Sequence, residues 1–202
     1  SRIVLMIYSR PVGTKGFRNI LSWLQFRLSL FLSRSFVQKI AVGTFFDLQD
    51  LSALGRIPDS KMVIIRSPID DIFTERSLVL GKRELRRDLN LGDLTEKIML
   101  LHHGSLDEDR GILDLVRVFA EACGNDENFV LLLLGDGPGK DSVRKFIEEN
   151  NVKNIVLYGA VRYPLIPRFI ASCDVGIVWM KNSHVWRFQS PIKLVEYMVL
   201  GK

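Results

Sequence analysis

The sequence alternates short apolar runs with longer segments of helical periodicity, and this pattern occurs twice along the chain. Strand-length apolar runs are found at 3–8, 37–44 and 62–66, and then at 98–102, 129–134, 155–158 and 175–179. Helices are predicted between or after them at 18–35, 47–54, 111–122, 140–150, 166–172 and 191–200. Apolar runs without polar alternation are typical of strands that helices cover on both faces of a parallel sheet. The pattern therefore predicts an α/β protein with two tandem doubly wound, Rossmann-like lobes.

The two series are separated by a stretch of different composition. Residues 67–96 crowd acidic and basic side chains together and contain no strand-like run, although 82–89 has the pattern of a charged helix. We predict that 1–72 belong to the first lobe, that 73–96 connect the lobes, and that 97–202 form the second. The chain lacks an initial Met and stops directly after a helix-like run, so both lobes are expected to be truncated.

Positive charge is concentrated in the first lobe. Residues 1–60 hold eight basic and three acidic side chains, whereas the remaining residues hold twenty of each, and no acidic residue precedes Asp47. The excess is explained either by an ordinary basic surface or by attraction to an anionic membrane or a phosphate-bearing acceptor. The basic residues are spread singly through apolar sequence, which argues against nucleic acid as a partner.

The apolar run 20–32 is too short to span a bilayer and contains Gln25 and Arg27. Polar residues at helical spacing form a narrow stripe along it, namely Arg18, Ser22, Gln25, Ser29 and Ser33. We favour a mostly buried helix over a helix that lies on a membrane surface. The two cysteines, Cys123 and Cys173, have no metal-like spacing. Together these features predict a cytoplasmic protein, either free or peripheral on the inner face of the membrane.

The segment from Ser190 onward has the composition of a helix that begins at a binding site. Ser190 is a capping residue, Pro191 suits the first helical position, and apolar residues follow at helical spacing. Lys193 and Glu196 are three residues apart and therefore share one face of that helix. A helix N-terminus with a lysine binds anions, phosphate above all, and a carboxylate one turn further accepts hydrogen bonds from a ribose. This arrangement indicates a sugar-nucleotide pocket.

Loops that follow strands are further candidates, because ligands of doubly wound sheets bind at the carboxyl ends of strands. After the run 98–102, Gly104 allows a close approach and Arg110 has the geometry to fork onto a diphosphate, although a surface pair with Asp107 or Asp114 also explains Arg110. The glycine-rich turn 135–139 has its third glycine one residue too early for a dinucleotide fingerprint. That turn and the turn at 158–161 are therefore either plain turns or ligand contacts.

In their order, these segments resemble the retaining, nucleotide-sugar-dependent glycosyltransferases of glycosyltransferase family 4, which have the two-lobed GT-B fold. The resemblance extends over about residues 36–202. Its motifs, in chain order, are residues 64–70, His103-Gly104-Ser105-Leu106 with Arg110-Gly111, residues 134–138, Tyr158-Gly159, residues 171–175, and Ser190-Pro191-Ile192-Lys193 with Glu196-Tyr197-Met198 and Gly201-Lys202. The last motif is the most specific, and the order and spacing of all of them together carry the resemblance.

The resemblance implies that the first lobe binds an acceptor and the second a nucleotide-sugar donor. It places the donor diphosphate at Gly104, Ser105, Arg110, Ser190, Ile192 and Lys193, and the ribose and base at Gly137, Val161 and Glu196. It assigns no catalytic residue, and it implies no cofactor and no metal besides the nucleotide diphosphate sugar as co-substrate. The sequence agrees on the metal, since His102 and His103 are strand neighbours that point to opposite faces.

Three positions depart from the family pattern. The family often has an arginine where this chain has Ser105, and it has a lysine where this chain has Arg110, which keeps the charge. The family's paired glutamates lie eight residues apart. Glu196 matches the second glutamate, but Phe188 occupies the place of the first, so the usual contact with the transferred sugar has no counterpart here.

The function that the resemblance implies is sugar transfer from a nucleotide diphosphate donor to a saccharide or lipid-linked acceptor, with retention, in the synthesis of a glycan, glycolipid or cell-surface polysaccharide. An enzyme alternative is a nucleotide-sugar epimerase or hydrolase on the same fold, which would need an additional acid/base pair that the sequence does not show. A second alternative, raised by Phe188, is a catalytically degenerate module that binds the donor.

Overall fold

The computed structural model of the chain describes residues 4–7, 17–66, 68–73, 80–124, 126–181 and 191–202, with the backbone alone at 4–7 and 17–19. The chain divides into two compact units. One runs up to Pro68, and the other comprises Ile69–Lys181 and Pro191–Lys202. Each unit has its own parallel sheet with connecting helices, which confirms the predicted α/β fold of GT-B type.

The first unit contains a three-stranded sheet in the order β1–β2–β3. Its elements are β1 (Val4–Ile7), helix α1 (Phe17–Phe36), β2 (Lys39–Val42), helix α2 (Phe45–Gly55) and β3 (Met62–Ile64). Thr44 begins α2, because its hydroxyl oxygen accepts a hydrogen bond from the Asp47 amide at 3.0 Å and satisfies one N–H group of the first turn. The core is one cluster of buried apolar side chains, namely Leu30, Val37, Ile40, Val42, Leu51, Ile57 and Met62.

Helix α1 packs on this core along one narrow side. Leu30 and Ser33 are buried there and Trp23 and Phe26 are half-buried, and the Ser33 hydroxyl donates to the Ser29 carbonyl oxygen at 2.6 Å. The opposite side exposes Ile20, Leu21, Leu24, Leu28, Phe31 and Leu32. The prediction of a mostly buried helix is therefore wrong for the described residues, since burial is restricted to one stripe and Ser33 of the predicted polar stripe lies within it.

The second unit contains a four-stranded parallel sheet in the order β6–β5–β4–β7. The strands are β4 (Ile98–His103), β5 (Phe129–Leu134), β6 (Ile155–Leu157) and β7 (Val175–Gly176). The helices are α3 (Lys82–Asp88), α4 (Ile112–Cys123), α5 (Lys140–Glu149), α6 (Ile166–Ser172) and α7 (Ile192–Val199). The parallel pairing of β4 with β5 confirms the predicted arrangement of this lobe.

Each face of the second sheet carries its own apolar core. Along β5, Val130, Leu132 and Leu134 belong to one buried cluster, whereas Leu131 and Leu133 belong to the other. Alternate residues of a strand point to opposite faces, so a central strand covered on both sides is apolar at consecutive positions. This explains the unbroken apolar run that the sequence shows at 129–134.

The strands at the edges of this sheet are shorter than predicted. β6 ends at Leu157 and not at Tyr158, and β7 comprises two residues where the sequence predicted five at 175–179. Among the described residues, β7 pairs only with β4, through Val175 and Gly176, and the apolar residues 177–179 do not extend the strand. The Ile177 amide still donates to the Leu101 carbonyl oxygen at 2.8 Å, which keeps the following loop beside β4.

The charged stretch 73–96 is predicted to connect the lobes. Its described residues, Phe73 and 80–96, belong to the second unit. Arg86 of α3 is fully buried there, where its guanidinium pairs with Asp174 at 2.7 Å and donates to the carbonyl oxygens of Ser172, Leu94, Thr95 and Lys97. The sequence predicted a charged helix at 82–89, and Arg86 of that helix is buried because all these partners satisfy its charge and its donors. The assignment of the two units to acceptor and donor binding stays a prediction.

Candidate functional site

The sheet of the second unit has a switch point between β4 and β7. From β4 the chain continues to β5 on one side, whereas β7 lies on the other side of β4. In open α/β sheets, ligands bind at the carboxyl ends of the strands at such a point, because the connections there diverge and leave a crevice. The loop after β4 and the start of α7, where the sequence placed the diphosphate, belong to this region.

The two glycine loops are packed against each other at the carboxyl edge of the sheet. The Gly104 amide donates to the Leu134 carbonyl oxygen at 2.9 Å, and the Leu106 amide donates to that of Asp136 at 3.0 Å. A Cβ atom at Gly137 would lie 2.5 Å from the Leu106 carbonyl oxygen. Close packing of the loops therefore accounts for Gly137, whose predicted contact with ribose or base stays a prediction.

Lys193, in the first turn of α7, reaches the loop after β4. Gly104 has a φ of +113°, and a Cβ atom there would lie 3.4 Å from the Lys193 Nζ atom. Glycine is thus favoured at this position both by its backbone conformation and by the approach of the lysine. Burial and the charge of Arg110 lower the pKa of Lys193 to about 8, although Glu196 acts in the opposite direction. The charge of Lys193 therefore responds to both Arg110 and Glu196.

The start of α7 differs in detail from the prediction. Pro191 is the capping residue and not the first helical residue, and the helix begins at Ile192, which is exposed. Ser190, predicted as the cap, and Phe188, at the place of the missing glutamate, lie outside the described residues.

Glu196 is buried and lies beside a histidine that the sequence analysis did not select. The Oε2 atom of Glu196 is 3.3 Å from the Nε2 atom of His103, at the end of β4. Burial raises the pKa of Glu196, whereas Lys193 lowers it, and burial together with Lys193 lowers the pKa of His103 to about 4. A histidine doublet at the carboxyl end of a buried strand was the signal that could have found this residue.

Tyr197 fixes the inner side of α7 to the sheet and was likewise not predicted as a site residue. Its hydroxyl donates to the Leu101 carbonyl oxygen at 2.8 Å, and its ring meets the His103 ring edge to face at 5.1 Å between centroids. Tyr197 thereby sets how Lys193 and Glu196 are presented at the switch point. Its position directly after Glu196, on the apolar face of the helix, could have indicated this.

The remaining predicted residues have fewer contacts with the start of α7. Arg110 is exposed, and its Nε atom lies 4.0 Å from the Asp107 carboxylate, so the surface pair and the approach to Lys193 coexist. Ser105 is exposed beside Gly104. Val161 packs against the apolar cluster that includes Tyr197, but it follows β6, two strands away from β4. The roles predicted for these residues stay predictions.

Fold and site define a doubly wound α/β protein whose candidate ligand site lies at the switch between β4 and β7. The model of the family of glycosyl transferases group 1 matches residues 83–202. This is more than half of the chain, and the chain belongs to that family. None of the curated proteins matches it in sequence.

Solved glycosyltransferase structures share the fold. Anabaena Alr3699/HepE in complex with UDP-glucose is similar with a TM-score of 0.73 and 17% identity over 100% of this chain and 52% of that chain. WaaG, a glycosyltransferase involved in lipopolysaccharide biosynthesis, gives a TM-score of 0.72 and 18% identity over 98% of this chain and 54% of that chain. The pneumococcal O-GlcNAc transferase GtfA, in complex with UDP and GlcNAc, gives a TM-score of 0.66 and 14% identity over 99% of this chain and 36% of that chain. The chain thus spans about half the length of the first two.

Proposed function

We propose that the second unit binds a nucleotide diphosphate sugar and that the protein transfers the sugar to an acceptor with retention, as in glycosyltransferase family 4. The observation that carries the proposal is the meeting of Lys193 and Glu196 with the loop after β4. Lys193 Nζ lies beside Gly104, and the Glu196 carboxylate lies one helical turn further in. A lysine cation and a carboxylate at this spacing match the diphosphate and the ribose of one ligand. The UDP and UDP-glucose in HepE structures support a uridine nucleotide as the first ligand to test.

In this proposal the charges of the site stabilise the departure of the nucleotide diphosphate. Lys193 neutralises charge that develops on the diphosphate as its bond to the sugar C1 atom breaks, and Arg110 adds a second cation. The acceptor hydroxyl forms the new C1–O bond on the same face and passes its proton to the departing diphosphate oxygen. Gly104, Ser105, Ser190 and Ile192 complete the diphosphate contacts. Gly137, Val161 and Glu196 take the ribose and base, no residue is assigned as catalytic, and no metal or other cofactor is invoked.

Turnover of UDP-glucose and other nucleotide sugars, with and without saccharide acceptors, tests this function. Transfer with an unchanged anomeric configuration, read from the product by NMR, is the expected result. Release of free sugar without acceptor would indicate a hydrolase, a changed sugar configuration an epimerase, and binding without turnover the degenerate module. A protein that binds no nucleotide diphosphate at all would contradict the proposal.

We further propose a saccharide or a lipid-linked saccharide as the acceptor, in the synthesis of a glycan, glycolipid or cell-surface polysaccharide. The support comes from WaaG and from the outer core galactosyltransferase WaaB, whose names refer to lipopolysaccharide. Competition between free and lipid-linked saccharides in the turnover assay tests the acceptor class. Equal use of both would remove the lipid from the proposal.

We also propose that α1 brings the first unit to an anionic membrane surface on the cytoplasmic side. The side of α1 that faces away from its core exposes Leu24, Leu28 and Phe31, and Arg27 is exposed on the same helix. In the described part of the chain, none of the helices has the length and apolar character needed to cross a bilayer, so the contact would be peripheral. Each basic residue near such a surface contributes about 1 kcal/mol, which makes the attachment sensitive to salt.

Sedimentation with phosphatidylserine and phosphatidylcholine vesicles tests the membrane contact. We expect binding to the anionic vesicles at low salt, and weaker binding for Phe31→Ser. Val118→Ser is the matched control, since Val118 is an exposed apolar residue on α4 of the second unit. Binding that ignores lipid charge and ionic strength, or none at low salt, would overturn the membrane contact and leave another protein segment as the cover of this side.

A further inference from the structure

Strand β4 ends in two buried histidines, His102 and His103, which the proposed function does not use. Their side chains lie on opposite faces of the sheet because strand neighbours alternate. The ring of His103 lies on the side of α7, where it meets Tyr197 edge to face with an interplanar angle of 78°. His103 is therefore the histidine that belongs to the candidate donor site.

The polar edge of His103 faces the carboxylate that is predicted to hold the ribose. Its Nε2 atom lies 3.3 Å from Oε2 of Glu196, and the two side chains are 8% and 3% exposed. Within the described part of the chain, neither atom makes a hydrogen bond. Buried polar atoms in folded proteins are nearly always hydrogen-bonded. At 3.3 Å, each of these two atoms is close enough to serve as the other's partner.

This inference rests on the proposed function and assigns a further residue to it. We propose that His103 is a positioning residue of the donor site: its Nε2–H group donates to Oε2 of Glu196 and holds the carboxylate so that Oε1 accepts a hydrogen bond from a ribose hydroxyl of the donor. A carboxylate that is held on one oxygen loses less conformational freedom when the ligand binds. Lys193, on the same face of α7, meets the diphosphate of the same ligand.

The charges around the pair determine which atom carries the proton. The titratable and charged groups that face it are Lys193 and Tyr197 on α7, Tyr163 before α6 and, through Lys193, Arg110, while His102 lies behind it on the other face of β4. Burial and Lys193 lower the pKa of His103 to about 4, so its ring is neutral near pH 7 and carries one N–H group. Burial raises the pKa of Glu196, so its carboxylate is the group that takes up a proton as the pH falls.

Protonation of Glu196 removes the negative charge that strengthens its hydrogen bond with the ribose, and the affinity for the donor therefore falls on the acid side. Loss of the His103 N–H group removes a hydrogen bond that stabilises the ionised carboxylate, so the pKa of Glu196 rises further. The acid limb of the binding profile then moves to higher pH. A residue that only filled space beside Tyr197 would not move this limb.

The experiment compares the binding of UDP and of inorganic pyrophosphate by calorimetry between pH 5 and 8. For His103→Phe, which keeps a ring against Tyr197, we expect UDP affinity to fall about tenfold, the acid limb to move up by about one pH unit, and pyrophosphate affinity to be unchanged. His103→Gln places an amide N–H near the Nε2 position and should restore the wild-type profile. His102→Phe is the matched control for the loss of a buried histidine and should leave the acid limb in place.

The outcomes separate the inference from the proposed function. A wild-type protein that binds neither UDP nor pyrophosphate overturns the proposed function and the inference with it. A wild-type protein that binds UDP, with an unchanged affinity and pH profile in His103→Phe, overturns the inference alone. Equal losses for UDP and pyrophosphate in that variant show a general structural role and also overturn it.

A measurement on the wild-type protein covers the case in which His103→Phe does not fold. The chain has three histidines, so ¹⁵N chemical shifts of the imidazole nitrogens are readily resolved, and the signals that persist in both His102→Phe and His184→Phe are those of His103. We expect Nε2 of His103 to be protonated and Nδ1 to be unprotonated at pH 7. An unprotonated Nε2 atom at that pH overturns the inference.

Discussion

The second unit buries apolar side chains on both faces of its sheet, whereas the first unit has one core cluster among its described residues. In the second unit, consecutive residues of β5 enter two different cores. In the first, α1 contacts the core with one stripe and leaves Leu24, Leu28 and Phe31 exposed. Similar strand–helix alternation in the sequence can therefore lead to two sheets that differ in how much of each is covered by packed apolar side chains.

The two units also differ in what they carry, since the candidate site lies on the second unit and the exposed apolar and basic surface lies on the first. The candidate donor site places Lys193 beside Gly104 and Glu196 beside His103, and it is built on the sheet that is covered on both faces. The first unit instead carries the surplus apolar surface and the excess of basic residues. It is therefore the unit from which we expect contacts with a partner surface.

The largest effect is expected from the buried arginine of the second unit. Arg86→Ala leaves the carbonyl oxygens of Leu94, Thr95 and Lys97 without this donor, while the Asp174 carboxylate keeps Lys82 and the Met99 amide. Each buried acceptor left without a donor costs about 1–3 kcal/mol. Hydrogen exchange at the β4 and β5 amides should show the loss, while the β2 amides of the first unit keep their protection.

The matched control is Arg83→Ala on the same helix. Arg83 forms an exposed pair with Glu96 at 2.7 Å, and such surface pairs contribute about 0–1 kcal/mol. If both units lost protection equally in Arg86→Ala, they would unfold as one, and the comparison between them would fail.

The next effect compares two leucines of α1. Leu30 is 1% exposed and Leu28 is 58% exposed. We expect Leu30→Ala to destabilise the first unit by about 2–5 kcal/mol, because it leaves a cavity in the single core, and Leu28→Ala to change its stability by less than about 0.5 kcal/mol. Exchange at the β2 amides measures both, and a large loss for Leu28→Ala would show that this side of α1 is packed in solution.

A smaller effect is expected on ligand binding. Lys193→Ala should weaken the binding of UDP by roughly 1.5–3 kcal/mol, the range for a charge-assisted hydrogen bond. Lys145→Ala, on the exposed side of α5, is the control for loss of one positive charge. Calorimetry gives both affinities, and equal values for the two variants would remove Lys193 from the diphosphate site.

The smallest effect concerns pH. The pKa of Lys193 is lowered to about 8 by burial and Arg110, and the cation is present below that pH. Between pH 7 and 9 the charged fraction falls about tenfold, so the affinity for UDP should fall by up to about 1.4 kcal/mol. In Lys193→Ala this alkaline fall should be absent, and its persistence would assign it to another group.

The candidate site was predictable in part. The spacing of Lys193 and Glu196 is a local property of a helix, and Gly104 follows directly from its place after a buried strand. The partnership of His103 with Glu196 was not predictable, because the two residues belong to β4 and α7 and meet only through the packing of Tyr197 against β4. The position of Pro191 as the cap of α7 also depends on local backbone angles that composition does not specify.

By itself, the sequence determined the elements and their parallel arrangement, because apolar periodicity and glycine turns are local signals that each involve only a few neighbouring residues. Only the tertiary structure decided how far each element is covered. It placed β7 beside β4, ended that edge strand after two residues, buried Arg86 in a stretch that looked like a connection, and left one side of α1 exposed. Burial and strand length depend on contacts between residues that are distant in the chain, and a local sequence pattern does not contain those contacts.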